Sequence, residues 1–308
     1  MANAELEKVG FIGLGNMGGA IAERLARSGA VALQVFDRNP AAADRLVELG
    51  AVAHVSARAV ADVASIVFTC LPTLEASEAA MFGADGLLGG SMMRCCVEMS
   101  TIGPAGMAAI ARRFALAGID VLDAPVSGGA AGALKGTLAI MIAAPAAVRE
   151  RVAPVLAAIS PKVFTISDVP GDAQNMKLVN NLLAAANMAS SFEALALGVK
   201  LGLAPEKIVE VVNAGSGRNT GMDDRKTGAI LARRFEGLGK ISLLEKDIRL
   251  AFEVAVAAGF PVAAMPSFGG MARLWQRAVE QGMSGEDVSA LVKVVERDVD
   301  VEVRGQGV

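Results

Sequence analysis

The chain has no tyrosine and a single histidine, His54, among its 308 residues. Any acid–base chemistry must therefore run on other groups. A dehydrogenase built on a Tyr–Lys pair is excluded, and one built on histidine would have to use His54. That residue sits in the strand-like stretch Val52-Ala53-His54-Val55, far along the chain from any substrate-like motif, and reads as structural because a general base must reach the proton it moves. Cysteine is scarce and odd in number: Cys70, Cys95 and Cys96 lack metal-ligand spacing and read as buried, reduced thiols, with no metal site expected. No uninterrupted apolar run reaches the roughly 18 residues a spanning helix needs, although 53% of the residues are hydrophobic. The first residues, Met1 to Lys8, are acidic and polar rather than basic and then apolar, so no secretory signal is expected and the chain reads as cytoplasmic. A formal net charge of -3, with scattered basic residues, gives no electrostatic footprint for nucleic acid. A small-molecule partner is expected instead.

At this length two domains are the default. The first third alternates strand and helix in the rhythm of a doubly wound, mostly parallel sheet. Strands are expected at 9–12, 31–36, 65–71, 95–99 and 119–122, with helices at 17–28, 40–49 and 104–116. From Asp172 the pattern becomes helical throughout. Residues 173–203 are almost continuously helix-compatible, about 45 Å if straight, a length that commonly forms the spine between two domains. Further helices are expected at 205–213, 242–258, 265–281 and 284–295. The expected domains are 1–171, Rossmann-type and dinucleotide-binding, and 172–308, all-helical and carrying substrate and subunit contacts.

Three clusters carry chemistry. The first strand runs into Gly13-Leu14-Gly15-Asn16-Met17-Gly18, a G-x-G-x-x-G turn that opens a helix. The first glycine allows the tight turn, the second lets backbone approach a pyrophosphate, and the third lets helix and strand pack closely. Unpaired N–H groups at the helix start would hold the diphosphate. Asp37 follows 19 residues after Gly18, close to the spacing at which a carboxylate bonds the adenosine ribose. It favours NAD, whereas Arg38 beside it could stack on adenine, accept the 2′-phosphate of NADP or form a loop ion pair. The second cluster, Asp123 to Ala133, follows a strand and places Ser127 ahead of Gly128 and Gly129. A hydroxyl and two flexible amides suit a substrate carboxylate; a structural glycine loop is the alternative. Third, Lys177 and Asn181 lie four residues apart on one helix face, just after the turn Pro170-Gly171-Asp172. Lysine on a helix is usually a solvated surface charge. Here Leu178, Val179, Leu182 and Leu183 make the helix broadly apolar, so Lys177 is expected to be partly buried, which disfavours an ammonium and brings an amine toward acid–base use.

Along nearly its whole length the sequence resembles the β-hydroxyacid dehydrogenases, the group containing 3-hydroxyisobutyrate dehydrogenase and tartronate semialdehyde reductase. The resemblance rests on Gly13–Gly18, Asp123–Thr137, Gly171–Asn181 and Lys246-Asp247-Ile248-Arg249-Leu250-Ala251. It implies a Rossmann domain, a helical C-terminal domain, and a homodimer or homotetramer. It further implies that Ser127, Gly128 and Gly129 bind a substrate carboxylate, that Lys177 is the acid/base, that Asn181 positions substrate, and that Thr101 and Lys246 line the cofactor near its nicotinamide. Many relatives carry an aromatic residue about eight positions before the Lys-Asp pair; here that position is Leu238, with Phe235 nearby. The loop Ser216-Gly217-Arg218-Asn219 either adds a cation to the pocket or is a surface turn. The expected activity is hydride transfer between NAD, or NADP, and a small 3-hydroxy acid. The alternatives are a non-catalytic dinucleotide-binding protein and an imine reductase.

Overall fold

The structure is a computed structural model, describing residues 6–261 and 264–305. It divides into two compact units, residues 1–177 and 178–308. The division falls inside a helix, six residues beyond the expected boundary at 171.

In the first unit nine strands form one sheet: β1 (Lys8–Ile12), β2 (Ala32–Phe36), β3 (Val52–Ala53), β4 (Ile66–Thr69), β5 (Cys95–Glu98), β6 (Asp120–Asp123), β7 (Val126–Ser127), β8 (Ala139–Ala143) and β9 (Val163–Ser167). The order β3-β2-β1-β4-β5-β6 is parallel throughout, and β8 then joins β6 and β7 antiparallel while β9 pairs with β8 in parallel. This is the doubly wound, mostly parallel sheet expected. The chain winds outward in both directions from β1 and β4, so the switch point, where α/β sheets bind ligands, lies past the carboxyl ends of those two strands.

Helices cover both faces of the sheet. These are α1 (Asn16–Ser28), α2 (Asp44–Glu48), α3 (Ala57–Ala61), α4 (Leu74–Phe82), α5 (Pro104–Ala115), α6 (Gly129–Lys135) and α7 (Ala146–Ile159). On one face Ile21 and Leu25 of α1 and Val152 and Leu156 of α7 share a core with Phe11, Val35 and Ile140 of the sheet. On the other, Val60, Met81, Met107, Ile110 and Phe114 pack against Val67, Cys96 and Val121. A parallel sheet needs both faces covered, and its strands accordingly read as unbroken apolar runs. Burial pushes the thiols of Cys70 and Cys95 up to about 12, so both are protonated and unreactive. His54 shares a hydrogen bond with Gln34 of β2 at 2.9 Å, the structural role expected of it.

The helix α8 (Asp172–Lys200) crosses from one unit into the other as a continuous 29-residue element. Among the described residues it is the one helix long and apolar enough to cross a membrane by length and composition. Ala185, Phe192 and Leu195 on it are fully buried in the core of the second unit, which is how a core helix passes the same test. That unit adds α9 (Pro205–Ala214), α10 (Asp224–Leu231), α11 (Ile241–Ala257), α12 (Pro266–Glu280) and α13 (Val292–Val299) around Trp275, Ile241, Ile230 and Val294. The helix expected over 284–295 is corrected. The Asp287 side chain accepts from Ser289 N–H and starts a 3₁₀ turn at 288–291, and α13 begins only at Val292. An aspartate one residue outside a helix acts as its cap rather than as a member of it.

Candidate active site

The glycine turn sits at the end of β1, and its three glycines have three different surroundings. Gly13 has φ +90°, and a Cβ on it would lie 2.4 Å from the Cys70 carbonyl oxygen. A Cβ on Gly18 would lie 2.0 Å from the Gly13 carbonyl oxygen, so only glycine lets α1 approach β1 this closely. Gly15 differs: nothing in the protein lies within 4 Å of the position its Cβ would take. It is the N-cap of α1, which has no side-chain cap and no acidic residue in its first turn. Uncapped N–H groups and a glycine with open space beside it fit a dinucleotide diphosphate.

Asp37 accepts the Leu14 N–H at 2.7 Å through one oxygen and the Asn39 N–H at 2.8 Å through the other. It braces the turn to which Leu14, Asn16 and Met17 belong, a role that spacing alone does not reveal. Each carboxylate oxygen retains a lone pair for a ribose hydroxyl. Arg38 is exposed beside it.

The last residues of β5 and β6 are two buried carboxylates, Glu98 and Asp123. The Ser100 N–H donates to Glu98 at 2.7 Å, and the Ser100 hydroxyl accepts the Leu71 N–H at 2.7 Å, tying the loop after β5 to the loop after β4. Thr101 follows in that loop. Glu98 is fully buried, and desolvation holds its carboxyl above the usual range against the hydrogen bonds from Ser100. At the end of β6, Asp123 is likewise fully buried and its carboxyl is pushed up to about 6 by desolvation, partly offset by bonds from Gln174 and Gly171. Ser127 ends β7, and Gly128 and Gly129 have φ of +135° and +67°, a conformation side chains disfavour.

Lys177 is 9% exposed, the burial expected of it, and its charge reaches the Cys70 thiol at the end of β4. One turn later on α8, Asn181 is 8% exposed. In the second unit, the Asn181 amide donates to Asp247 at 2.7 Å, and the Lys246 ammonium pairs with the other Asp247 oxygen at 3.2 Å. Asp247 therefore holds two of the expected site residues, and sequence reasoning had assigned it no role. Leu238 is tied through its N–H to Asp287 at 2.7 Å, while Phe235 packs on the helical core with the Arg233 and Lys293 cations over its ring. Arg218 is exposed, and the neighbouring Asn219 accepts from Gly221 N–H and the Ser191 hydroxyl, which makes this loop a braced turn.

Residues 8–167 match the family model described as the NAD-binding domain of 6-phosphogluconate dehydrogenase, and 171–295 match that described as the NAD-binding of NADP-dependent 3-hydroxyisobutyrate dehydrogenase. The chain is 38% identical over 300 residues to 2-(hydroxymethyl)glutarate dehydrogenase of Eubacterium barkeri, covering 97% of this chain and 98% of that one. The chain belongs to the β-hydroxyacid dehydrogenase family. To 2-hydroxy-3-oxopropionate reductase of Escherichia coli this β-hydroxyacid dehydrogenase is 35% identical, covering 94% and 97% of the two chains. The crystal structure of a 3-hydroxyisobutyrate dehydrogenase from Salmonella typhimurium superposes with a TM-score of 0.86 at 29% identity, covering 94% of this chain and 99% of that one. The β-hydroxyacid dehydrogenase described here is a nicotinamide-dependent oxidoreductase acting on hydroxy acids.

Proposed function

We propose that this enzyme oxidises a small 3-hydroxy acid, of the 3-hydroxyisobutyrate, glycerate or threonate type, or reduces the matching semialdehyde, with Lys177 as the proton-transfer residue. The observation that carries the assignment is Lys177 itself: a lysine 9% exposed, within electrostatic reach of the end of β4, in a protein without tyrosine. A buried amine loses hydration and moves toward acid–base use. A bound nicotinamide would supply the hydride acceptor or donor, while the Lys177 amine would take the hydroxyl proton in oxidation and return it in reduction. Ser127 Oγ with the Gly128 and Gly129 N–H groups holds the carboxylate, and Asn181, fixed by Asp247, orients the substrate. Gly13 to Gly18, including Leu14, Asn16 and Met17, hold the diphosphate, with Thr101 and Lys246 toward the nicotinamide end.

Asp37 favours NAD, since its charge repels a 2′-phosphate, and Arg38 admits NADP as the weaker cofactor. Residues 1–171 are the dinucleotide-binding domain and 172–308 the helical one. The enzyme works in the cytoplasm, on neither membrane nor nucleic acid, as a homodimer or homotetramer. Supporting self-association, Val179, Leu183 and Leu197 leave an exposed apolar row along α8. Lys177 also argues against an imine reductase, whose site generally lacks this lysine, and against a non-catalytic dinucleotide-binding protein, which could have lost it.

The test is NAD and NADP reduction across 3-hydroxyisobutyrate, glycerate, threonate, serine and 3-hydroxypropionate, with wild type and Lys177→Ala, on protein whose solution mass is measured. At least about tenfold higher kcat/KM with NAD is expected, a difference of about 1.4 kcal/mol. Lys177→Ala should lose about 10² to 10⁴ in kcat with NAD affinity kept. Retained turnover with an unchanged pH profile would remove Lys177 from the mechanism, equal use of NADP would give the pocket to Arg38, and a monomer would end the assembly reading.

A further inference from the structure

A buried polar cluster ties the start of α8 to the loops after β5 and β6, and every bond of it lies inside the first unit. Gln174 is fully buried three residues before Lys177, and its side chain makes four hydrogen bonds. Its Oε1 accepts the Ile102 N–H at 2.9 Å and the Gly103 N–H at 3.2 Å, while its Nε2 donates to the Ser100 carbonyl at 3.1 Å and to Asp123 Oδ1 at 2.7 Å. Flipping the amide would set donor against donor and acceptor against acceptor at every contact, so only one orientation is available to it. The second Asp123 oxygen accepts the Gly171 N–H at 2.8 Å and the Gln174 N–H at 3.2 Å. Those are N–H groups at the start of α8, the ones a capping side chain normally satisfies, and here the cap comes from the end of β6, about 50 residues earlier in the chain.

We propose that Asp123 and Gln174 are positioning residues that set Lys177 relative to the Thr101 loop and the Ser127 loop, an inference that rests on Lys177 being the proton-transfer residue. The clamp fixes the first turn of α8 from two directions: Gln174 holds it to the loop that carries Thr101, and Asp123 holds it to the strand that leads into Ser127. Lys177 lies one turn, about 4.5 Å, further along the helix. A tilt or rotation of that turn is carried by the helix backbone to the base of the Lys177 side chain, and so moves the position from which the amine reaches out. A carboxylate that suffers desolvation at the end of β6 is costly to keep unless its charge is needed to hold those helix N–H groups. The resulting bonds are charge-assisted and stiff.

Asp123→Asn keeps the volume and can still accept the helix N–H groups, but it turns an amide donor onto the Gln174 amide donor. Gln174→Met keeps length and burial and removes all four side-chain bonds. Both are compared with wild type and with Lys177→Ala for NADH dissociation constant, melting temperature, kcat, KM and the pH profile of kcat. The expected result for each clamp variant is an NADH affinity and a KM within about threefold of wild type. With the proton donor displaced by about an ångström, kcat should fall about 10- to 100-fold. The pH limb of kcat should shift as the surroundings of the amine change. Lowered melting temperature with kcat and its pH limb unchanged would overturn the proposal, as would a parallel loss of NADH affinity, KM and kcat, which is general loosening. Asp123→Asn and Gln174→Met perturb the clamp from opposite sides, so failure of one to fold leaves the other to decide. Retained turnover in Lys177→Ala would instead remove the acid–base reading, and with it the premise, whatever the clamp variants do.

Discussion

Two substitutions of the same size, three residues apart, should have opposite consequences in the glycine turn. In Gly18→Ala the new Cβ would stand 2.0 Å from the Gly13 carbonyl oxygen and 3.1 Å from Cys70 Cβ. The first of these is backbone, so α1 itself must move off β1. Overpacking of that kind costs about 1–3 kcal/mol or more. In a unit of this size about 1 kcal/mol is worth 2–4 °C, so a fall of roughly 2–12 °C in melting temperature is expected. In Gly15→Ala the Cβ meets nothing within 4 Å, and the backbone at φ −64° and ψ −171° suits alanine. Alanine is a poorer N-cap by a few tenths to about 1 kcal/mol, and stiffening the unfolded chain returns about 0.4–1 kcal/mol. Melting should therefore shift by less than about 4 °C. The cofactor is another matter, because the methyl occupies the space through which a diphosphate reaches the first N–H groups of α1. Loss of one charge-assisted bond, about 1.5–3 kcal/mol, predicts an NADH dissociation constant about 10- to 100-fold higher. Thermal melts followed by circular dichroism, with and without NADH, and fluorescence titration of NADH separate the two effects. A folded Gly15→Ala protein that binds NADH as wild type does would show that the diphosphate does not pass over Gly15.

Ser127→Ala should raise KM for the hydroxy acid about 10- to 100-fold, from loss of one charge-assisted bond of about 1.5–3 kcal/mol, and should erase the preference for the acid over its methyl ester. An unchanged acid-over-ester preference in folded, NAD-binding protein would place the carboxylate elsewhere, with Arg218 next to test. The Asp123 carboxyl titrates near 6 in the folded protein against 3.8 unfolded, so the folded state binds the extra proton in that window. Its contribution to stability is fully present below about pH 4 and is lost as pH rises through about 6, a change of about 3 kcal/mol. Denaturant unfolding of wild type and Asp123→Asn between pH 4 and 8 should show the wild type losing that much relative to the variant, and parallel profiles would refute the shift.

Residues whose requirement is local were legible in the sequence. The Gly13–Gly18 turn is readable because a tight turn, an open approach and a close helix contact each demand glycine within six residues, and the structure supplies all three. The long helix is readable because its 29 residues hold no proline and a single glycine, Gly198, and because Gly202 just beyond, with φ +85°, ends the element. Other elements were missed for equally local reasons. Helix α7 carries Pro154 in its interior, which reads as a break, although Val152, Val155 and Leu156 around it are buried in the sheet's core and hold the helix in place. Strand β9 has three consecutive exposed residues, Phe164, Thr165 and Ile166, so it shows no alternation, and its pairing with β8 is what makes it a strand.

The site divides along the same line. Lysine and asparagine at helical spacing announce a shared face, but nothing local distinguishes Asp123 or Gln174 from other polar residues beside apolar runs. Their meaning lies in bonds that span 48 to 74 residues of chain. Asp247 is the same case in the second unit, reaching Asn181 across 66 residues. Groups that would touch cofactor and substrate are constrained by the chemistry of those molecules, and so carry recognisable types and spacings. Groups that orient them are constrained only by the fold. Complete burial of a carboxylate at the end of a central strand, with a helix start on one oxygen and a glutamine amide on the other, is the physical signature by which such positioning residues become visible.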